Sequence, residues 1–109
     1  MKLVSWNLNG IRAVEKKGLA SIIEYINADV IGFQETKALE EQVDESLLEE
    51  IGYHHYWHSA EKKGYSGVAT FSKVKPTKVI AGCGQEIYDR EGRVLRTDFG
   101  DLTILNCYF

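Results

Sequence analysis

The chain is 109 residues long, with 13 Lys and Arg against 16 Asp and Glu and a formal charge of −3. That is one typical ~150-residue domain or less. Apolar residues at 44% and charged residues at 27% exclude disorder by composition. A pI near 5.6 excludes a wholly basic, histone-like nucleic-acid binder, while leaving room for a local phosphate-binding face. No apolar run approaches the ~20 residues that span a bilayer, and no signal peptide is visible, so no membrane partner is expected.

In chain order, Lys2 to Asn7 reads as a short strand stopped by Asn7-Leu8-Asn9-Gly10, a turn signal. Ile11, Val14, Leu19, Ile22, Ile23 and Ile26 then recur at helical spacing opposite Arg12, Glu15, Lys16 and Glu24, which predicts one amphipathic helix ended by Asn27-Ala28-Asp29. A second apolar run, Val30-Ile31-Gly32-Phe33, leads into Gln34-Glu35-Thr36. Strand, helix, strand in this order predicts a βαβ crossover. Its parallel strands end at one edge of the sheet, the edge where open α/β sheets bind ligands, so Asn7 and Glu35 are expected to meet there.

A second helix follows with Val43, Leu47, Leu48 and Ile51 on one face, closed by Gly52. The period then changes to two. Strands are expected at Tyr53 to His58, Val68 to Ser72, Lys78 to Ala81, Val94 to Phe99 and Leu102 to Tyr108, the last two joined by a tight hairpin at Gly100-Asp101. Two helices cover only one face of such a sheet, and the chain stops in an apolar strand. The expectation is the N-terminal part of a longer α/β domain, residues 1–109 being incomplete. Cys83 and Cys107 are isolated and read as reduced thiols of a cytoplasmic protein, Cys107 as a buried one, with a disulfide between them left open.

Glu35 is the leading chemical candidate. A carboxylate at the rim of an apolar strand persists only if paired or metal-bound, and Mg²⁺ accepts one or two carboxylates while keeping its waters; an exposed rim glutamate is the bland alternative. Asn7 and Asn9 flank the turn before the helix, where an amide orients a phosphate oxygen or simply caps. Glu61-Lys62-Lys63-Gly64-Tyr65-Ser66-Gly67 combines two ammonium groups, two glycines and an aromatic. That mixture suits phosphates and nucleotides, or an ordinary solvated loop. Ser66 is no hydrolase elbow, because Val68 replaces the second glycine. His54, His55 and His58 lack the Glu and the helix of a zinc motif and read as aromatic strand packing, and Gly82-Cys83-Gly84 lacks the third glycine of a dinucleotide loop.

Ser5-Trp6-Asn7-Leu8-Asn9-Gly10-Ile11-Arg12-Ala13, Asp29-Val30-Ile31-Gly32-Phe33-Gln34-Glu35-Thr36-Lys37 and Gly64-Tyr65-Ser66-Gly67-Val68 together resemble the exonuclease III class of apurinic/apyrimidinic endonucleases. Glu91-Gly92-Arg93-Val94 and Leu105-Asn106-Cys107-Tyr108-Phe109 are similar too, so the likeness runs in order over the whole chain. It implies a four-layer α/β sandwich with a mixed β-sheet, and cleavage of double-stranded DNA 5′ to abasic sites with Mg²⁺ or Mn²⁺. It further implies possible 3′→5′ exonuclease and 3′-phosphatase action. It makes Glu35 a metal ligand, Asn7 a metal-site and catalytic hydrogen-bonding residue, and Tyr108 a catalytic tyrosine near the scissile phosphate. It places Arg12, Ala13 and Lys17 in a DNA-backbone contact, Gly64 and Tyr65 in a loop pressing on the duplex, and Lys37 near phosphate. Asn9 stands where some members carry Asp.

The same resemblance puts the catalytic Asp, Asn and His beyond Phe109, so the fragment alone is expected to be inactive. Two alternatives stand beside this reading. One is a phosphatase of the same superfamily acting on phosphoinositides or sphingolipids. The other is a non-catalytic half-domain that self-associates through its incomplete sheet.

Overall fold

The computed structural model describes residues 1–109. Strand β1 (Leu3–Asn7) runs parallel to β2 (Val30–Gln34), with Leu3 opposite Val30 and Asn7 opposite Gln34. The crossover holds two helices where the spacing predicts one. They are α1 (Ile11–Glu15) and α2 (Leu19–Ile26), parted where Gly18 turns left-handed at φ 93°. The apolar stripe continues across the break, because Ile11, Leu19 and Ile23 are all buried; periodicity reports the face and is blind to a glycine hinge within it. Asn27 ends α2 in the left-handed conformation.

A 3₁₀ turn at Glu40–Gln42 precedes α3 (Glu45–Ile51), so Val43 packs from the linker and not from the helix itself. The side chain of Asp44 caps α3 by accepting from the Ser46 amide at 2.9 Å, which closes an otherwise unpaired N–H of the first turn. Strands β3 (His54–His58) and β4 (Val68–Ser72) then complete a four-stranded mixed sheet in the order β1-β2-β4-β3. Next come β5 (Lys78–Ala81), α4 (Glu86–Asp89), β6 (Val94–Phe99) and β7 (Leu102–Cys107). The single turn of α4 has no counterpart among the elements that periodicity predicts, since four residues are too few to show a helical period. Strands β5, β6 and β7 form a separate antiparallel sheet.

This arrangement is an α/β fold of three layers. Helices lie on one face of the mixed sheet and the antiparallel sheet packs on the other over β2, β4 and β3, while β1 keeps Leu3 and Ser5 exposed beside an open, largely apolar cavity shared with Leu105 and Phe109. The two sides of the mixed sheet differ in character. Toward the helices, Ile31, Phe33, Ala69 and Phe71 join Leu8, Ile11, Leu19, Ile23 and Val43 in an apolar core. Phe33 and Phe71 meet edge to face at 5.2 Å, and each ring buried there contributes about 1.5–3 kcal/mol.

Toward the antiparallel sheet, buried Val30, Val68 and Leu95 are joined by polar contacts, and Asn106 of β7 is the hub of those contacts. Its amide nitrogen lies 3.2 Å from the Phe33 carbonyl, 2.8 Å from that of Ala69 and 3.3 Å from the Thr70 hydroxyl. Its oxygen accepts from Gln34 Nε2 at 2.7 Å. The link joins the end of β2 to the end of β7, one residue before Glu35 and two before Tyr108. Cys107 is half-buried rather than buried, and both thiols are free.

Candidate active site

Three turns meet at the carboxyl ends of β1 and β2. The amide of Leu8 donates to the Gln34 carbonyl at 2.9 Å, Gly10 to that of Glu35 at 2.8 Å and Ile11 to that of Thr36 at 2.9 Å. From the other side Thr36 donates to the Gly67 carbonyl at 3.1 Å and Lys37 to that of Ser66 at 2.8 Å. The segment Glu35-Thr36-Lys37 is thus held between two loops. That hold maintains Glu35 and Lys37 at φ 53°, a left-handed geometry that non-glycine residues avoid. Gly67, itself at φ 91°, passes so close to Thr36 that an added Cβ would lie 2.4 Å from its hydroxyl oxygen.

Asn7, in register with Gln34, and Glu35, the next residue in the chain, therefore stand at one rim, as parallel pairing requires. Asn7 is exposed and its Oδ1 accepts from the Asn9 amide at 3.0 Å, an Asx turn that orients its NH₂ group outward. Asn9 does not cap α1, whose N-cap is Gly10 with no side-chain bond. Instead its Oδ1 accepts from Lys37 Nζ at 2.7 Å, fixing the ammonium beside the rim.

Tyr108 reaches this rim from the end of β7. The neighbouring Glu35 carboxylate, with some burial, holds its phenol's pKa above the ordinary tyrosine value. Arg93 pulls in the opposite direction. The guanidinium of Arg93 lies 5.1 Å from the Tyr108 ring centre and 5.7 Å from that of Tyr65. It donates to the Tyr65 hydroxyl at 2.7 Å, to Glu91 Oε1 at 2.9 Å and to the Tyr108 carbonyl at 3.3 Å. Its own pKa is raised, chiefly by the Glu91 bond.

The DNA-contact residues expected from the resemblance divide by place. Arg12 and Ala13 are exposed on α1 and line an open groove of about 510 Å³ with Gly10, Lys16, Thr36, Lys37 and Gly64. Lys17 is exposed in the turn after α1 and does not line it; Lys16 does, although nothing in the sequence pattern marks it for that role. Lys62 and Lys63 are exposed in the next loop, with Lys62 Nζ 5.4 Å from the Tyr65 ring centre. Tyr65 is half-buried, its hydroxyl turned to Arg93 and Glu91. Arg93 is the site residue that sequence reasoning misses outright. Its motif is visible, but its neighbours come from three separate segments. Despite the chain's net charge of −3, the groove is basic on balance, with Arg12, Lys16 and Lys37 against Glu15. Glu40, Glu41, Glu45 and Glu49 gather around α3 instead.

The histidines sit away from this rim. His55 stacks on Phe71 at 5.5 Å and pairs with Glu40 at 3.0 Å, while His58 Nδ1 lies 2.9 Å from the Val94 carbonyl. Of the acidic side chains, Glu35 follows the end of β2, at the rim that Asn7 ends, and neighbours Tyr108. A single carboxylate with an amide oxygen nearby fits a hard ion that retains water and shares phosphate ligands, and does not fit a closed all-protein cage.

The rim thus gathers a carboxylate, an amide and a tyrosine at the strand ends of an α/β layer, beside a groove with more cations than anions. The family model for the Endonuclease/Exonuclease/phosphatase family matches residues 4–109, and the chain belongs to that family. It is 48% identical over 109 residues to an exodeoxyribonuclease of Bacillus subtilis (strain 168), covering 99% of this chain and 42% of that protein. It is 38% identical over 110 residues to the DNA repair nuclease APEX1 of Danio rerio, covering 99% of this chain and 36% of that one. The structure of an AP endonuclease from Archaeoglobus fulgidus superposes with a TM-score of 0.83 at 28% identity, over 99% of this chain and 40% of that one. The 3′ phosphatase NExo from Neisseria, bound to a product DNA hairpin, gives 0.82 at 26% identity, over 99% and 41%. The chain thus spans well under half the length of these relatives.

Proposed function

We propose that this chain supplies one side of the active site of a divalent-metal-dependent DNA-repair nuclease that cuts the duplex backbone 5′ to abasic sites. The meeting of Asn7, Glu35 and Tyr108 at one rim beside the basic groove carries this reading. Activity at 3′ ends, exonucleolytic or phosphatase, is the natural extension, because a scissile phosphate at a terminus presents the same oxygens to the same groups.

In this reading Glu35 and the Asn7 amide oxygen would hold Mg²⁺ or Mn²⁺, which would supply positive charge to the phosphate. The Asn7 NH₂ group donates to phosphate. The Tyr108 phenol, protonated at neutral pH like any tyrosine and held more firmly so by the Glu35 carboxylate, presents an O–H to the scissile group. Lys37, steered by Asn9, neutralises charge at the groove, while Arg12, Lys16, Lys62 and Lys63 meet flanking phosphates. Activation of the attacking water falls to groups outside these residues.

The test uses the gene product that carries this chain, an end-labelled duplex with one abasic site, and added Mg²⁺ or EDTA. Incision directly 5′ to the lesion is expected with metal and abolished by EDTA and by Glu35→Ala. Equal cleavage with Glu35→Ala, or hydrolysis of phosphoinositides in place of DNA, overturns the proposal.

A further inference from the structure

Arg93 is half-buried in its side chain, at 25% exposure, and its donors are more fully committed than those of any other cation of the rim. Three of its N–H groups serve three acceptors on three different segments. They are Glu91 just before it, Tyr65 in the loop after β3, and the Tyr108 carbonyl after β7. Its main chain also holds Tyr108, whose amide donates to the Arg93 carbonyl at 2.9 Å. The β6–β7 pairing explains this, since Val94 opposes Cys107 and the next pair outward is Arg93 with Tyr108. The flat face of the guanidinium then lies near both tyrosine rings.

With three of its five N–H groups committed within the protein, the Arg93 guanidinium is fixed in place before any phosphate arrives. Resting on the nuclease reading above, we propose that Arg93 is the positioning residue of this site. It clamps Tyr65 to Tyr108 so that the phenol is set beside Glu35 before DNA arrives, and it links the loop that meets the duplex to the group that meets the scissile phosphate. Glu91 orients the clamp from behind, taking the Nε–H and also accepting from the Tyr65 hydroxyl at 3.4 Å. Lysine cannot substitute, because a point ammonium cannot bond three divergent acceptors and lie across two rings at once.

The experiment compares Arg93→Lys, Arg93→Met and Tyr65→Phe in the gene product on the abasic duplex, with ¹³Cζ-tyrosine NMR of the same proteins. Both arginine variants are expected to lose at least tenfold in kcat with KM within twofold of the parent. Tyr65→Phe keeps its ring, deletes one acceptor and is expected to lose about threefold. In the NMR arm, read at one neutral pH, Tyr65→Phe leaves the Arg93 charge in place and is expected to move the Tyr108 ring resonance through the shared guanidinium. Full kcat in Arg93→Lys overturns the clamp. So does a rise in KM with a flatter salt dependence at unchanged kcat, which marks a phosphate contact. If an arginine variant does not fold, Tyr65→Phe decides, and parental kcat there overturns the clamp. If the parent does not cut DNA, the nuclease reading fails by itself; an unmoved Tyr108 resonance then overturns the clamp separately, and a moved one sustains it.

Discussion

Asn106 ties the two sheets together, and its replacement tests whether hydrogen bonding or shape does the holding. It is 4% exposed and its amide group serves the Phe33 and Ala69 carbonyls, the Thr70 hydroxyl and Gln34. An average hydrogen bond contributes about 1 kcal/mol net, and a buried group left unpaired costs about 1–3 kcal/mol. Asn106→Ala removes the donor and the acceptor together, in a layer of limited water access. A loss of about 3 kcal/mol is expected once partial solvation of the freed groups is allowed for. Asn106→Asp keeps the volume but has no N–H, and it sets a carboxylate against two carbonyl oxygens, so it should cost more than alanine. Urea unfolding of the gene product, followed by fluorescence of Trp6 and Trp57, gives both values provided m is unchanged. If aspartate is tolerated better than alanine, or both lose less than about 1 kcal/mol, shape and not hydrogen bonding joins the sheets.

Replacing Lys62 and Lys63 with Ala should lower the slope of log affinity for duplex against log salt by about 0.9 for each phosphate no longer neutralised; an unchanged slope makes the loop a plain solvated one. Gly67→Ala should cost about 1–3 kcal/mol in backbone strain alone. It should also displace Thr36, whose hydroxyl an added Cβ would approach to 2.4 Å, so an unaltered thermal melt refutes the close packing described for this turn. Glu35→Gln removes the chief cause of the raised Tyr108 pKa. A raised phenol pKa stabilises the fold below the ordinary tyrosine value of about 10 and loses that contribution as pH climbs through the folded value. The glutamine variant should therefore bring the Tyr108 titration to lower pH in ¹³C NMR, and an unshifted titration removes Glu35 as its partner.

Much of the fold is legible in the sequence because its signals are local. Val68 to Ser72, Lys78 to Ala81 and Val94 to Phe99 are strands with the bounds that alternation and turn residues indicate. The strand–helix–strand order brings Asn7 and Glu35 to one rim with 27 residues between them, since parallel strands must end on the same edge. The break at Gly18, the short α4 and the late start of α3 are not legible there, because each interrupts a period without changing the face it marks.

What the chain's own order of residues determined is which segments are strands or helices and which side of each is apolar, because both follow from neighbours a few positions apart. Tertiary structure alone decided that the strands divide into two sheets, that Asn106 is buried against residues more than 30 positions away, and that Arg93 lies between Tyr65 and Tyr108. Alternation tells a residue which way to face but not what it will meet there. The partner is chosen by the packing of whole layers, in which Asn106 and Arg93 each set every side-chain nitrogen and oxygen against a protein partner.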